Sequence, residues 1–385
     1  MSEPVPGDLL DGVRQRLARD ASPITPQLVA QALRDQGRPV GDATVLAVHD
    51  ALHRDLVGAG PLEPLLRLEG VTDVLVNGAA QVWVDRGHGL ELSGVGFADD
   101  QAVRRLAQRL AALGGRRLDD ASPWVDLRLP DGTRFHAVLS PVSRPGTVLS
   151  LRVPRQRVFT LQELEQAGTV SGPVAGLLRA VVERRLAFLV SGGTGSGKTT
   201  LLNALLSLVA AEERLVIVED ASELRPDHPH VVGLEARPAN IEGAGEIVLR
   251  TLVRQALRMR PDRLVVGEVR GAEVVDMLAA MNTGHEGGCA TIHANSAADV
   301  PGRVEALALA AGLTREAVHS QLLSALDVVV HLGRGPGRRR YVRELGVLVE
   351  SGMGGAAVLP ALTFSPDGSS VRGPGAERLS ALVPR

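Results

Sequence analysis

Residues 192–199 read Gly-Gly-Thr-Gly-Ser-Gly-Lys-Thr, a full match to the phosphate-binding loop (P-loop) pattern G-x-x-x-x-G-K-[ST]. Four glycines lie among Gly192, Gly193, Thr194, Gly195, Ser196 and Gly197. They let the backbone curl tightly and turn its N–H groups outward. Such donors make an anion nest for nucleotide phosphates. Lys198 is placed to neutralise charge between the β- and γ-phosphates. The hydroxyl of Thr199 is placed to hold Mg2+, and Thr200 completes the first turn of the following helix. The chemistry these residues predict is binding and cleavage of Mg-ATP.

Three further segments carry groups suited to that chemistry. In VIVEDASEL (216–224) an apolar run ends in Glu219 and Asp220, and Glu223 follows. At the carboxyl end of a parallel strand such acids face a nucleotide crevice. There a carboxylate can orient the attacking water or ligate Mg2+ through water. The same acids would also serve as a solvated turn or a helix cap. In RPDRLVVGEVRG (260–271) an apolar strand ends in Glu268, which could support Mg2+ or the water. Gly267 stands where a Walker B strand usually has Asp, and an ordinary strand-end acid is the alternative. In TGHEGGCATIHANS (283–296), His285 and His293 bracket a glycine-rich turn and a strand. One of them could hydrogen-bond the γ-phosphate; a strand-end histidine is also an ordinary structural hydrogen-bonder. Neither has a third ligand at metal spacing.

Positioning these groups requires strand, loop and helix in that order. LAFLV (186–190) suits a buried parallel strand, and Thr200–Ala211 reads as the helix after the loop. RLVIVE (214–219), RLVVGE (263–268), CATIHA (289–294) and DVVVHL (327–332) are further core strands. Their alternation with helices predicts a parallel α/β motor domain over 171–350. Upstream, VTDVLVNG (71–78) and QVWVDRG (81–87) pair through a turn at Asn77-Gly78. Residues 99–113 form an amphipathic helix capped by Asp99 or Asp100. WVDLRLPDGTRFHAVLS (124–140) is a hairpin around Pro130-Asp131-Gly132, and TVLSLRVP (147–154) is a strand. The resulting plan is a helical N-terminal extension (1–55), an α+β domain (56–155), a linker with a short helix (156–170), the motor domain (171–350) and a Gly/Pro-rich, partly disordered tail (351–385).

Composition limits the partners. The 385 residues suggest two or three domains. At 44% hydrophobic and 2% aromatic, the core must be Leu, Val and Ala, and stacking platforms for single strands are missing. A net charge of −2 gives no bulk basic balance for a phosphate backbone. The single cysteine, Cys289, excludes intrachain disulfides and a four-cysteine zinc site. No signal peptide or 18-residue apolar run is present, which predicts a cytoplasmic protein held at a membrane only through partners.

The P-loop, the EDxxE box, the RPDxxxxGExRG strand and the TGHEGxxxTIHANS box occur in this order. The series resembles the secretion and pilus-assembly ATPases, the traffic-ATPase superfamily of type II and type IV secretion and type IV pili. GPLEPLL (60–66), VTDVLVNG, GRRLDDASPWVDLRLPDGTRFHAVLSP (115–141) and LSLRVPR (149–155) are similar to the CpaF/TadA-like branch of Flp-pilus, or tight-adherence, ATPases. The likeness spans about residues 45–350.

That resemblance implies an N-terminal α+β domain linked to a RecA-like P-loop domain, with nucleotide between them. It implies a homohexameric ring on the cytoplasmic side of the inner membrane. The ring would drive a polytopic membrane platform and, through it, pilin or secretion machinery. Carried onto this chain, Lys198 and Thr199 are the Walker A pair, and Glu219 and Glu223 belong to the acidic box. Glu219 is then the first candidate for polarising water, Glu268 the Walker B glutamate and His293 the histidine-box residue. Arg134 and Arg152 lie on N-terminal strands where the family brings arginines to the phosphates. Arg254 and Arg258, at i,i+4 spacing, are positioned to complete a neighbour's site. An arginine finger accelerates phosphoryl transfer by about 10³–10⁵; the alternative for each is a solvated or ion-paired surface residue. Two other functions compete: a RecA-like nucleic-acid translocase, and a nucleotide-gated scaffold that seldom turns over. Low aromatic content and neutral charge weigh against the first, so no direct nucleic-acid partner is predicted. Glu219, Glu268 and the arginines weigh against the second.

Overall fold

The computed structural model describes residues 25–35, 41, 44–46, 48–49, 58–153, 158–237, 239, 244–284, 286–352 and 354–384. Most of the N-terminal extension, and His285, lie outside them. The chain forms two compact units, Met1–Arg155 and Gln156–Arg385.

In the first unit, α1 (Pro26–Asp35) and a single turn, α2 (Glu63–Leu66), precede a six-stranded antiparallel sheet. The strands are β1 (Asp73–Asn77), β2 (Val82–Asp85), β3 (Leu90–Leu92), β4 (Trp124–Arg128), β5 (Arg134–Val138) and β6 (Val148–Arg152), in the order β3-β2-β1-β6-β5-β4. Strict alternation sends Val74, Val76, Phe135, Ala137, Leu149 and Leu151 to one face. There they meet Val103, Leu106, Ala107 and Leu110 of α3 (Asp100–Leu113). Asp99 starts that helix by accepting the Ala102 N–H at 2.7 Å, a cap worth about 1 kcal/mol.

The second unit is a nine-stranded sheet with helices on both faces. It begins with α4 (Leu161–Gln166), closed by a Thr160/Glu163 capping box, and α5 (Gly172–Glu183). Next come β7 (Phe188–Gly192), α6 (Lys198–Leu206), β8 (Leu215–Glu219), β9 (Val231–Glu235), α7 (Leu249–Ala256), β10 (Arg263–Val269), α8 (Glu273–Met281) and β11 (Cys289–Ile292). They are followed by α9 (Val300–Ala310), α10 (Arg315–Ala325), β12 (Val328–Arg334), β13 (Arg340–Glu350), β14 (Ala356–Phe364), β15 (Ser370–Arg372) and α11 (Ala376–Leu382). The order is β15-β14-β13-β12-β7-β11-β10-β8-β9, parallel from β12 through β9 and antiparallel from β12 outward to β15. Helices α4, α5, α6 and α11 cover one face; α7 to α10 cover the other. Burial on both faces explains why these strands read as continuous apolar runs. It also explains the leucine-rich helix after the P-loop.

The short helix expected in the linker is α4, whose Leu161 and Leu164 are core residues. The C-terminal stretch differs from the plan read off the sequence. The region taken as a tail after 350 is β14, in register on β13, then β15, in register on β14, and the helix α11. Val358, Ala361, Phe364 and Leu379 are buried there. Their spacing is broken by a register shift between Leu345 and Gly346 of β13, and Gly and Pro are interspersed among them. Phe364→Ala should therefore destabilise the protein by about 3 kcal/mol, the cost of a core cavity. Equilibrium denaturant unfolding measures this; a change below about 0.5 kcal/mol, typical of a surface site, would mean that the segment is not part of the core.

Candidate functional site

Strand β7 is buried at all five residues and ends in the P-loop. Gly192, Gly195 and Gly197 have φ of 151°, 67° and 98°; the latter two lie in the left-handed region that side chains resist. A Cβ at Gly192 would come within 2.7 Å of both the Leu332 carbonyl and Ser196 Oγ. The loop thus needs glycine for curvature and for room. Ser196 is buried, and its hydroxyl has no partner. Helix α6 starts at Lys198, so its unpaired N–H groups point into the loop. Thr199 and Thr200 are half-buried in its first turn.

Lys198 is folded back over the loop. Its Nζ donates to the carbonyls of Gly192 (3.2 Å) and Gly193 (3.1 Å) and lies 3.4 Å from both ring nitrogens of His293. Burial lowers the Lys198 pKa, opposed by the charges of Glu268 and Glu223. His293, just past the end of β11, is also held below its usual pKa, by burial first and then by Lys198. A neutral imidazole beside the ammonium follows. Glu268, near the end of β10, lies with Oε1 2.5 Å from His293 Nε2, outside hydrogen-bond alignment. Its Oε2 pairs with Arg270. Strand order explains the meeting: β11 sits between β7 and β10, so loop, histidine and glutamate share one edge.

Glu219 ends β8 and is 5% exposed. Its Oε1 accepts the N–H groups of Glu223 and Leu224, both at 3.0 Å. This carboxylate therefore ties the acidic box into a turn, leaving the Glu223 side chain exposed. The structure also explains Gly267. A Cβ there would lie 2.5 Å from Glu219 Cγ. The glutamate of the neighbouring strand fills the space, and an aspartate at 267 would displace it.

The four predicted arginines are held on carboxylates or carbonyls. Arg134 pairs with Asp126 at 2.7 Å and Arg152 with Asp73 at 3.1 Å. They are register partners on the sheet face turned away from α3. Arg254 pairs with Asp276 at 2.7 Å, an acid it shares with Arg250. Arg258 donates to the Arg254 carbonyl at 2.9 Å and is exposed. Sequence reasoning missed four other arginines. Arg270 takes Glu268. Arg303 of α9 lines a cleft of about 690 Å³ together with Gly193, Thr194, His293 and Asn295. Arg334, at the end of β12, donates to the Thr194 carbonyl at 2.9 Å. Arg340 lies beside Gly197. Only the RG that follows Glu268 in the motif could have drawn attention to Arg270; the others are distant in sequence.

These groups fit a nucleotide: an anion nest, a buried unpartnered hydroxyl and a lysine held by loop carbonyls and His293, with no carboxylate on it among the described residues. No cluster of three or more metal-ligating side chains exists among the described residues. Mg2+ on a nucleotide keeps waters and phosphate oxygens as ligands and takes only one or two side chains from a protein.

Burial raises the Glu219 pKa to about 7, against the lowering effect of its two N–H donors. The folded state thus keeps a proton that the unfolded chain, near 4.5, releases. Its stabilisation is complete below pH 4.5 and is lost as pH rises through about 7. Relative to Glu219→Gln, wild type should lose on the order of 3 kcal/mol between those limits. Unfolding free energies of both proteins across that range test this; parallel curves would show the carboxyl ionised throughout.

The type II/IV secretion system protein family matches residues 55–340. The chain is 57% identical over 315 residues to the putative conjugal transfer protein Rv3659c of Mycobacterium tuberculosis, covering 80% of this chain and 90% of that protein. It is 32% identical over 283 residues to a probable conjugal transfer protein TrbB of Sinorhizobium fredii, covering 71% and 82%. Its fold is that of the pilus retraction motor PilT, with a TM-score of 0.52 at 18% identity over 81% of this chain and 82% of that one. With the P-loop, Glu268 and His293 assembled at one edge of its sheet, this chain belongs to the type II/IV secretion system protein family and is a P-loop ATPase of that family.

Proposed function

We propose that this chain is the motor of a secretion or pilus-assembly machine, hydrolysing Mg-ATP in a homohexameric ring at the cytoplasmic face of the inner (plasma) membrane. The observation that carries this reading is the convergence of Lys198, His293 and Glu268 on the P-loop. In the proposed cycle the loop N–H groups and Lys198 bind the phosphates. Lys198 leaves the carbonyls of Gly192 and Gly193 to do so. Thr199 and Glu268 would hold Mg2+, which would supply charge neutralisation on the phosphate oxygens. His293 hydrogen-bonds the γ-phosphate end from its neutral form. Glu268, freed from Arg270, or Glu219, with its pKa near 7, takes the proton of the attacking water.

Arg134, Arg152, Arg254 and Arg258 are proposed to complete the sites of the ring. Three of them rest on carboxylates in the single chain, so phosphate charge must draw them off. A motor needs such an exchange, because it makes the arginine contact depend on nucleotide state.

Among the described residues no helix is long and apolar enough to cross a membrane. A polytopic platform is therefore the proposed membrane partner, with pilin or secretion machinery engaged indirectly. The narrower tight-adherence assignment is supported by the N-terminal segments; the relatives named above carry the words conjugal transfer. Strong stimulation of turnover by DNA at moderate salt would favour a translocase instead. Nucleotide binding without turnover, even with the platform present, would favour a gated scaffold.

Lys198→Ala should abolish hydrolysis, and Glu268→Gln should keep nucleotide affinity within about threefold while slowing turnover at least 100-fold, as lost transition-state stabilisation does. Steady-state hydrolysis and equilibrium binding of both variants measure this; wild-type turnover in either removes that residue from the mechanism. Specific activity of the wild type should also rise steeply with protein concentration, because assembly completes the sites. A flat line from a monomer would overturn the shared-arginine part.

A further inference from the structure

We propose that Arg334 and Arg340, on the hairpin of β12 and β13, form a cationic clamp on the diphosphate part of the bound nucleotide. The inference rests on the nucleotide site proposed above and adds residues that no motif marks.

The two arginines are direct register partners at the turn end of the hairpin. Its turn is closed by the Gly335 N–H donating to the Arg339 carbonyl at 2.8 Å. Like charges placed opposite each other on a sheet are unfavourable. An anion between them reverses that sign. The place where they meet is the P-loop. The Arg334 guanidinium donates to the Thr194 carbonyl, and a Cβ at Gly195 would lie 2.6 Å from its Nη2. A Cβ at Gly197 would lie 3.4 Å from Arg340 Cδ. Gly195 thus leaves the room that Arg334 uses, and the Arg340 stem lies at contact distance from Gly197.

Arg334 also differs from several other arginines of the unit. Arg254, Arg263 and Arg270 each rest on a carboxylate. Arg334 has no acidic partner among the described residues; a loop carbonyl is all it holds. A guanidinium prefers the two oxygens of an anion to one neutral carbonyl.

Strand order assigns the clamp to one end of the nucleotide. β7 lies between β11 and β12. His293 and Glu268 stand on the β11 side, beside the Lys198 ammonium that reaches the γ-phosphate. Arg334 and Arg340 stand on the β12 side. They therefore serve the α- and β-phosphates, which ATP and ADP share. A clamp there retains ADP after hydrolysis as firmly as it holds ATP before it.

The test is equilibrium titration of fluorescent ATP and ADP analogues, without turnover, into wild type, Lys198→Ala, Arg334→Gln, Arg334→Lys and Arg340→Gln. Thermal unfolding of each variant serves as the folding control. Arg334→Gln should raise Kd for both analogues by the same factor, about tenfold or more, as expected for a lost charge-assisted hydrogen bond. Arg334→Lys should recover part of it, and Arg340→Gln should act in the same direction. Unchanged Kd values in Arg334→Gln, with wild type binding and Lys198→Ala defective, would overturn the clamp and leave the P-loop reading intact. A loss confined to the ATP analogue would overturn it too, by placing Arg334 at the γ-phosphate. No binding by wild type would remove the clamp together with the site on which it rests.

Discussion

The P-loop, His293, Glu268 and Arg334 are all placed by strands of one parallel ladder, and β7, which carries the loop, is the middle strand of the nine-stranded sheet. Its five residues are buried, with Phe188 and Val190 facing one helical layer and Leu189 the other. Its neighbours β11 and β12 come from about 100 and 140 residues downstream in the chain. Side chains brace the ladder across the strands. Ser191 Oγ meets His331 Nδ1 at 2.9 Å, fully buried, and Thr291 donates to the Gly267 carbonyl at 2.6 Å. His331 is further tied to the backbone of Asn295, and burial keeps its pKa low. A buried polar group that loses its partner costs about 1–3 kcal/mol, so these braces fix the relative height of the strand ends. The distances from loop to histidine to glutamate follow from that height.

Charge is the second constraint. Lys198, Arg270, Arg303, Arg334 and Arg340 crowd the loop, while Glu268 is the carboxylate nearest Lys198 and His293. Burial first, and then the neighbouring cations, lower the pKa of both Lys198 and His293. Both shifts reduce the positive charge at the loop, and a polyphosphate can satisfy the cations that remain. The same logic separates these arginines from Arg263, which is 2% exposed and saturated by Glu213 and the Val182 carbonyl. Removing one partner of such a buried pair costs about 3–5 kcal/mol; its work is to hold the base of β10.

The RPD portion of the 260–271 segment has a related task. Arg260 adopts φ of 53°, ending the helical turn, and Asp262 accepts the Arg214 N–H at 2.7 Å. These residues pin β10 to the start of β8. They set the strand whose far end presents Glu268, and they do not reach the nucleotide edge themselves. A motif that reads as one catalytic string is thus two devices at opposite ends of a strand.

The local signals sufficed for the P-loop, for the alternating strands of the first unit and for the apolar strands of the second. Glycine freedom, period-two burial and capping by Asp99 act over a few residues, and sequence records them directly. Tertiary structure alone decided the rest. Gly267 is explained by Glu219 on the next strand, and Arg334 and Arg340 reach the loop only because β12 pairs with β7. The segment after 350 was obscured because its apolar residues are spaced by a register shift and diluted by Gly and Pro, so only pairing with β13 reveals them as core. Sequence states what each residue can do; which residues do it together depends on parallel pairing between remote segments, and no local pattern encodes that.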